Sequence, residues 1–289
     1  MFEGLSVAIV TPFRNGAVDE EAFRGLVARL LEQGVDGLIP TGSTGEAATM
    51  TREERRLVVR AAVEEAKGKA FVVAGTGTNN TAQSIELSMD AREAGVDGIM
   101  VVTPYYNKPT PAGLVAHFAA ISEAAKLPIL AYNVPGRTGY NMLPAVAAKV
   151  AAVPGVVALK EASGSVDQCI DILAAAPKLT LLSGDDSLTL PLAAIGARGI
   201  VSVAGHVVGR ELKGVLTACA AGDLEEARRH HARMMPITRA LFLESNPGPV
   251  KYALSRLGWI ANELRAPLAP VTAETAARVD GELRTLGLI

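Results

Sequence analysis

The sequence predicts an α/β protein, a (β/α)8 barrel of the TIM-barrel type with a C-terminal helical appendage. The first observation is alternation, since eight short apolar runs are separated by segments with helical spacing. The second is a repeated phrase, Gly34-Val35-Asp36-Gly37, which returns at residues 95–98 and, more loosely, at 196–199. A glycine that ends a helix shortly before an apolar strand is typical of a βα repeat. The first two copies begin 61 residues apart, which fits two βα units of about 30 residues each.

The third observation is the composition. The chain is 49% hydrophobic but only 4% aromatic, so Ala, Val, Leu and Ile must build the core. This favours buried parallel strands covered by alanine-rich helices. A length of 289 residues is ordinary for one barrel with an appendage.

The barrel elements are expected to follow one another along the chain. The predicted strands cover residues 6–10, the apolar end of 34–39, 71–75, 98–102, 128–132, 156–161, 179–183 and 199–203. The clearest predicted helices cover residues 19–33, 51–67, 81–94, 112–125 and 209–221. Thr51 and Glu54 are spaced as a capping box, which predicts that a helix begins there.

The last part of the chain predicts helices only, at residues 223–241, 249–257 and 273–286. We therefore expect a catalytic barrel at 1–222 and a C-terminal helical extension at 223–289. The extension is too small for an independent catalytic domain, and we expect it to cover the barrel or to meet another subunit.

Charge and cysteine content narrow the function classes. With 28 basic and 30 acidic residues intermixed, the chain has no electrostatic footprint for nucleic acid or an anionic membrane, so a small-molecule partner is expected. Cys169 and Cys219 lie far apart without metal-site spacing, which predicts neither a disulfide framework nor a zinc site and favours a reducing, cytoplasmic location. The start of the chain lacks a basic region, so no signal peptide is expected, and no apolar run approaches a membrane span.

The apolar run of the predicted strand at 156–161 ends in a lysine, Lys160. Because side chains alternate along a strand, Val156, Ala158 and Lys160 are expected to share one face, so that Lys160 points the same way as core residues. Apolar surroundings lower the pKa of an amine, and the neutral amine can form a Schiff base with a carbonyl substrate. A strand-end lysine that reaches solvent or a carboxylate fits the same pattern.

Other polar residues follow the predicted strands, at the end of a barrel where active sites form. Tyr132 ends the strand next to Lys160, where its hydroxyl could shuttle protons or could simply be satisfied locally. The run Gly42-Ser43-Thr44-Gly45 suits a small carboxylate but also an ordinary turn. Arg137 could grip a second carboxylate or lie in solvent. For Asp185-Asp186 a role in the turn is favoured over a metal site, and the four histidines show no metal spacing.

Several of these motifs occur together in a known family. They are Gly42-Ser43-Thr44-Gly45-Glu46, Tyr105-Tyr106-Asn107, residues 132–139, the strand ending in Lys160, Gly184-Asp185-Asp186 and residues 245–251. Jointly, over nearly the whole chain, they resemble the dihydrodipicolinate synthase family. The resemblance implies a lyase of lysine and diaminopimelate biosynthesis that condenses pyruvate with L-aspartate 4-semialdehyde to 4-hydroxy-tetrahydrodipicolinate.

The resemblance also implies residue roles. Lys160 would form the imine with pyruvate, Ser43 and Thr44 would hold the pyruvate carboxylate, and Arg137 would bind the carboxylate of the semialdehyde. A proton relay would join Tyr132, Thr44 and Tyr106, with Tyr106 donated by the neighbouring subunit. Gly184 and Val201 match backbone positions that line the pyruvate site. The family implies a homotetramer, a dimer of dimers, and no metal or organic cofactor beyond the covalent imine.

Feedback inhibition by lysine is expected to be weak or absent. Ala48, Asn79 and Tyr105 match positions of the pocket in which inhibited members bind lysine. However, Gln83 stands where those members have a glutamate, and Arg55 stands where they have a histidine. A neutral amide binds an ammonium more weakly than an acid does, and an added arginine repels it.

Two other functions compete with this interpretation. A related pyruvate-dependent aldolase, such as an N-acetylneuraminate lyase or a 2-keto-3-deoxy sugar acid aldolase, would share the lysine, the tyrosine and the glycine-rich loop. Arg137 and its neighbours favour the synthase, because sugar-acid aldolases lack that arginine. A catalytically silent keto-acid sensor would be expected to have lost Lys160 or Tyr132, and both are present.

Overall fold

The computed structural model describes residues 1–289 and contains ten strands and twelve helices. The strands are β1 (Gly4–Val7), β2 (Phe13–Arg14), β3 (Ala17–Val18), β4 (Gly37–Leu38), β5 (Phe71–Gly75), β6 (Gly98–Val102), β7 (Ile129–Asn133), β8 (Val156–Glu161), β9 (Thr180–Ser183) and β10 (Gly199–Ser202). The helices are α1 (Glu20–Glu32), α2 (Arg52–Ala66), α3 (Thr81–Glu93), α4 (Pro111–Ala125), α5 (Pro135–Thr138), α6 (Pro144–Ala151), α7 (Val166–Ala175), α8 (Thr189–Ala194), α9 (Gly205–Ala220), α10 (Leu224–Ala240), α11 (Gly248–Arg256) and α12 (Ala273–Thr285). Short 3-10 turns lie at Ala47–Thr49 and Asp186–Leu188.

Eight parallel strands close into a barrel in the order β1-β10-β9-β8-β7-β6-β5-β4. The predicted (β/α)8 architecture is thereby confirmed. Because all eight strands run the same way, their carboxyl ends meet at one rim, and the loops that leave this rim can form a single site.

The amino end of the barrel is closed by two aromatic rings. Phe2 and Phe71 lie with their ring centroids 5.3 Å apart. A Cβ atom added at Gly37 would lie 2.1 Å from the Phe71 ring, and one added at Gly98 would lie 2.4 Å from the Phe2 ring. The second glycine of the repeated phrase is therefore required by the packing of these rings.

The other residues of the repeated phrase have the same role in both copies. Gly34 and Gly95 adopt φ values of +82° and +83°, which glycine reaches without steric strain, and each ends its helix as predicted. The carboxylate of Asp36 accepts a hydrogen bond from the Leu5 N–H, and that of Asp97 accepts one from the Val72 N–H, both at 2.8 Å. Each aspartate thus ties the start of its own strand to the neighbouring strand.

Several element boundaries differ from the sequence prediction. Strand β1 ends at Val7 rather than at residue 10, although the Ala8 and Ile9 N–H groups still donate to the carbonyls of Ser202 and Ile39. The pairing stops at Val10, whose N–H donates to Nε2 of His206 at 3.2 Å. An unpredicted turn from Gly205, whose N–H donates to Oγ of Ser202 at 2.7 Å, precedes the helix predicted from residue 209. A kink at Val208, where the backbone is not helical, separates the two parts of α9. The β2–β3 hairpin was not predicted. The capping box was, and it is present at Thr51.

Strand β8 contains an irregularity that the simple alternation misses. Ile129 pairs with Val156, but the next residue, Leu130, pairs with Ala158, so Val157 is an extra residue. Val156 therefore packs between the barrel and the helices, and the expectation that it shares a face with Ala158 and Lys160 is wrong. Beyond the bulge the alternation holds, and Ala158 lies in the barrel interior.

The C-terminal helices pack against the barrel and each other, with α10 along α9 and α11 against both α9 and α12. The division at residue 222 stays a prediction. No helix of the chain has both the length and the apolar character needed to cross a membrane.

Candidate active site

Lys160 and Tyr132 lie side by side at the carboxyl ends of β8 and β7. The register of the two strands pairs them directly, because adjacent strands of the barrel follow each other in the chain. The Lys160 Nζ lies 4.2 Å from the centroid of the Tyr132 ring. Both residues are buried, with 5% and 6% of their surfaces exposed. The strands thus place an amine and a phenol together in a nearly water-free interior.

Burial determines the protonation of both groups. It lowers the pKa of Lys160 to about 8, an effect that the nearby Asp185 and Asp186 carboxylates partly offset. Burial also raises the pKa of Tyr132 to about 12. The amine therefore has a substantial neutral fraction near neutral pH, while the phenol keeps its proton and can donate it.

A cavity of about 80 Å³ lies above these two residues. It is lined by most of the residues that sequence analysis assigned to the site, namely Lys160, Tyr132, Ser43, Thr44, Arg137 and Gly184. Thr44 is buried, whereas Ser43 and Arg137 are exposed. The cavity combines an amine, hydroxyls and a guanidinium, which suits a small keto acid with its carboxylate.

Two of the predicted site residues do not line this cavity. Val201 is fully buried in the barrel interior, and Val203, two residues further along the chain, lines the cavity instead. Tyr106 is 88% exposed and adopts a left-handed φ of +72°. Within one chain it does not line the cavity that contains Lys160 and Tyr132.

A second cavity of about 160 Å³ adjoins the first and shares Tyr132 and Arg137 with it. Of the residues predicted for the lysine pocket, Ala48, Arg55 and Tyr105 line this cavity, and Asn79 and Gln83 do not. Arg55 donates to the carbonyl of Ala47, and burial lowers the pKa of its guanidinium.

The two adjacent aspartates after β9 have different surroundings. Asp186 accepts hydrogen bonds from the Val203 and Ala204 N–H groups and from the Ser202 hydroxyl, so its role lies in the turn. Asp185 lines the cavity that contains Lys160, and burial raises its pKa. Sequence reasoning missed Asp185 as a cavity residue, although its place directly after a strand was a usable signal.

Asn246 was also missed as a cavity residue. It lines the cavity with Lys160, and its Nδ2 donates to Oγ1 of Thr44 at 2.8 Å. No local pattern could have found it, because it lies 202 residues from Thr44 in the chain.

Glu161 follows Lys160 but points away from the site. Its buried carboxylate accepts hydrogen bonds from the Asn133 amide, the shorter at 2.9 Å, and from the Ser163 N–H at 2.7 Å. Asn133 ends β7, so this contact locks the two strands that present Tyr132 and Lys160. The chain holds no group of three or more His, Cys, Asp or Glu side chains arranged to bind a metal ion.

The sequence of the whole chain is similar to that of a known protein family. The family model for the dihydrodipicolinate synthetase family matches residues 1–286. The 4-hydroxy-tetrahydrodipicolinate synthase of Maridesulfovibrio salexigens is 47% identical over 290 residues, covering 100% of this chain and 99% of that protein.

Solved structures of dihydrodipicolinate synthases are also similar to the whole chain. The lysine-bound enzyme of Cyanidioschyzon merolae has a TM-score of 0.97 and 42% identity, covering 100% of this chain and 99% of that one. The first monomeric dihydrodipicolinate synthase variant has a TM-score of 0.97 and 41% identity, covering 100% and 98%. This chain therefore belongs to the dihydrodipicolinate synthetase family.

Proposed function

We propose that this protein condenses pyruvate with L-aspartate 4-semialdehyde to 4-hydroxy-tetrahydrodipicolinate through an imine on Lys160. The observation that supports it most is the buried Lys160 amine with its lowered pKa, paired with Tyr132 beneath a small polar cavity. A relative named 4-hydroxy-tetrahydrodipicolinate synthase matches the full length of this chain, so the same chemistry is the first hypothesis to test.

The reaction uses the amine as a covalent electron sink. The neutral Lys160 amine adds to the ketone carbon of pyruvate, and the ketone oxygen leaves as water after taking one amine proton and one further proton. Loss of a methyl proton moves its electron pair toward the positive nitrogen and produces an enamine. The enamine carbon attacks the aldehyde, whose oxygen takes a proton and becomes a hydroxyl. The amino group of the second substrate then displaces Lys160 and closes the ring, so no other cofactor is required.

The anionic groups of the two substrates have separate partners in the proposal. Ser43 and Thr44 would hold the pyruvate carboxylate, with Gly184 as the backbone position beside them in the same cavity. Arg137, exposed at the cavity wall, would bind the carboxylate of the semialdehyde in a charge-assisted pair. This arginine favours the synthase over a sugar-acid aldolase, because sugar-acid aldolases lack that arginine.

Proton transfer would use Tyr132, Thr44 and Tyr106. The pKa of Tyr132, raised to about 12 by burial, keeps its hydroxyl protonated and able to donate. Tyr106 would come from a neighbouring subunit, as the family resemblance implies. Its side chain is 88% exposed in the single chain and is therefore accessible to another subunit. A homotetramer built as a dimer of dimers, located in the cytoplasm, is part of this proposal.

A coupled assay tests the function. The rate of condensation is measured with the reductase that consumes the product, and a turnover of about one per second or more is expected. Lys160→Ala should abolish both turnover and the borohydride-trapped adduct with pyruvate, while Lys149→Ala, at an exposed lysine of α6, should leave both unchanged. A trapped adduct without condensation would move the assignment to a sugar-acid aldolase, and near wild-type turnover in Lys160→Ala would overturn the imine mechanism.

A further inference from the structure

We propose that Asn246 is a positioning residue for the reaction, which acts by fixing the direction of the Thr44 hydroxyl hydrogen. The inference rests on the proposed function, since it concerns a hydroxyl of the proposed proton relay. It assigns a task to the C-terminal extension that goes beyond covering the barrel.

The contact between the two residues has a defined polarity. Asn246 Nδ2 donates to Thr44 Oγ1 at 2.8 Å, and an amide NH2 group has no capacity to accept. Thr44 must therefore use a lone pair in this bond, and its own hydrogen stays free for another acceptor. No group of the chain accepts that hydrogen, and both residues line the cavity that contains Lys160 and Tyr132. The hydrogen is thus available to the reacting molecule.

The contact is shielded from water. Thr44 is 3% exposed and Asn246 is 8% exposed, so solvent does not compete for the hydroxyl. The bond to Thr44 is also the one hydrogen bond that the Asn246 side chain makes within the chain. The side chain of Asn246 is therefore dedicated to Thr44 rather than shared with a structural network.

A buried ion pair holds the two segments in register. Glu46 lies two residues after Thr44, and Lys251 lies five residues after Asn246. Their side chains form an ion pair with no exposed surface on either partner. The second oxygen of Glu46 accepts from the Arg265 N–H at 2.9 Å, and Lys251 also donates to the Glu263 carbonyl at 2.8 Å. The glycine-rich loop is thereby pinned to the extension close to the Asn246–Thr44 contact.

Asn246 touches a second group of the proposed site as well. Its main-chain carbonyl accepts a hydrogen bond from Nη2 of Arg137 at 3.4 Å. One residue of the extension therefore contacts both a proposed relay hydroxyl and the proposed carboxylate ligand. A side-chain substitution keeps the carbonyl, so the effect on Thr44 can be measured separately.

The test measures exchange of the pyruvate methyl protons with D2O, followed by NMR. This exchange requires the imine and the proton relay but no second substrate, so it stays informative if the acceptor aldehyde is different. Asn246→Leu, which keeps the number of side-chain heavy atoms and removes the donor, is compared with wild type and combined with Thr44→Val. Asn246→Ala serves as a second variant if the leucine is not accommodated. Asn262→Ala, at an exposed residue of the extension, is the matched control.

We expect Asn246→Leu to slow exchange by about ten-fold in the wild-type background. In the Thr44→Val background the same change should slow it by less than about two-fold, because its target is already gone. Borohydride trapping of pyruvate on Lys160 should persist in the single Asn246 variants. Equal losses in both backgrounds, or no loss in wild type, would overturn the inference. A wild-type protein that exchanges the methyl protons but does not condense the two substrates would instead refute the proposed function.

Discussion

The pKa of Lys160 leads to a quantitative prediction for imine formation. With a pKa of about 8, roughly one-tenth of the amine is neutral at about pH 7, whereas an amine at the ordinary value of 10.5 would be neutral in only about three molecules in ten thousand. The buried lysine thus has an advantage of about 300-fold in the nucleophilic form. We expect the rate of imine formation to rise about ten-fold per pH unit below pH 8 and to level off above it.

The assay is reductive trapping of pyruvate by cyanoborohydride, quantified by mass spectrometry at a series of pH values. Asp185→Asn supplies the perturbation, because the Asp185 carboxylate raises the pKa of Lys160 and partly opposes the effect of burial. Removing that charge should move the midpoint of the profile to lower pH. Asp167→Asn, at an exposed carboxylate on α7, is the matched control and should leave the midpoint unchanged. A wild-type midpoint near 10 would refute the reasoning, because it would mean that Lys160 is solvated like an ordinary amine.

Three further predictions concern substrate binding, stability and regulation. Arg137→Ala should raise the KM for aspartate 4-semialdehyde at least about ten-fold more than the KM for pyruvate, and equal increases in steady-state assays would indicate general disruption instead. Lys251→Met should lower the free energy of unfolding by about 3–5 kcal/mol in chemical denaturation, because it leaves the Glu46 carboxylate buried and unpaired; adding Glu46→Gln should recover part of this loss. A loss below about 1 kcal/mol would show that Glu46 finds another partner. Lysine should inhibit weakly or not at all, because Gln83 and Arg55 offer no carboxylate to its ammonium, and a low micromolar inhibition constant would contradict this.

The strand and helix alternation was predictable because it is a local property. A run of apolar residues and a following helical period lie within about 30 residues, and each βα unit repeats the same pattern. The adjacency of Lys160 and Tyr132 was predictable for a related reason, since consecutive strands of such a barrel pair with each other. The direction of Lys160 followed from the two-residue period of a strand.

The errors arose where a contact outside the element overrides its local pattern. Val157 adds a residue to β8 without any signal in the apolar run, and Val156 consequently faces the helices. The backbone pairing of the first strand stops at Val10, because its N–H donates to His206 from a distant helix instead of to a neighbouring strand.

By itself the sequence determined the fold class, the order of the elements and the lysine at a strand end, because these depend on residues that are near one another in the chain. Only the tertiary structure decided how the site is completed. The lowered pKa of Lys160 results from burial by all of the surrounding strands and loops. The Asn246–Thr44 bond and the Lys251–Glu46 pair each join residues more than 200 positions apart. Their partners are selected by three-dimensional packing, and neither composition nor spacing records which distant residues packing brings together.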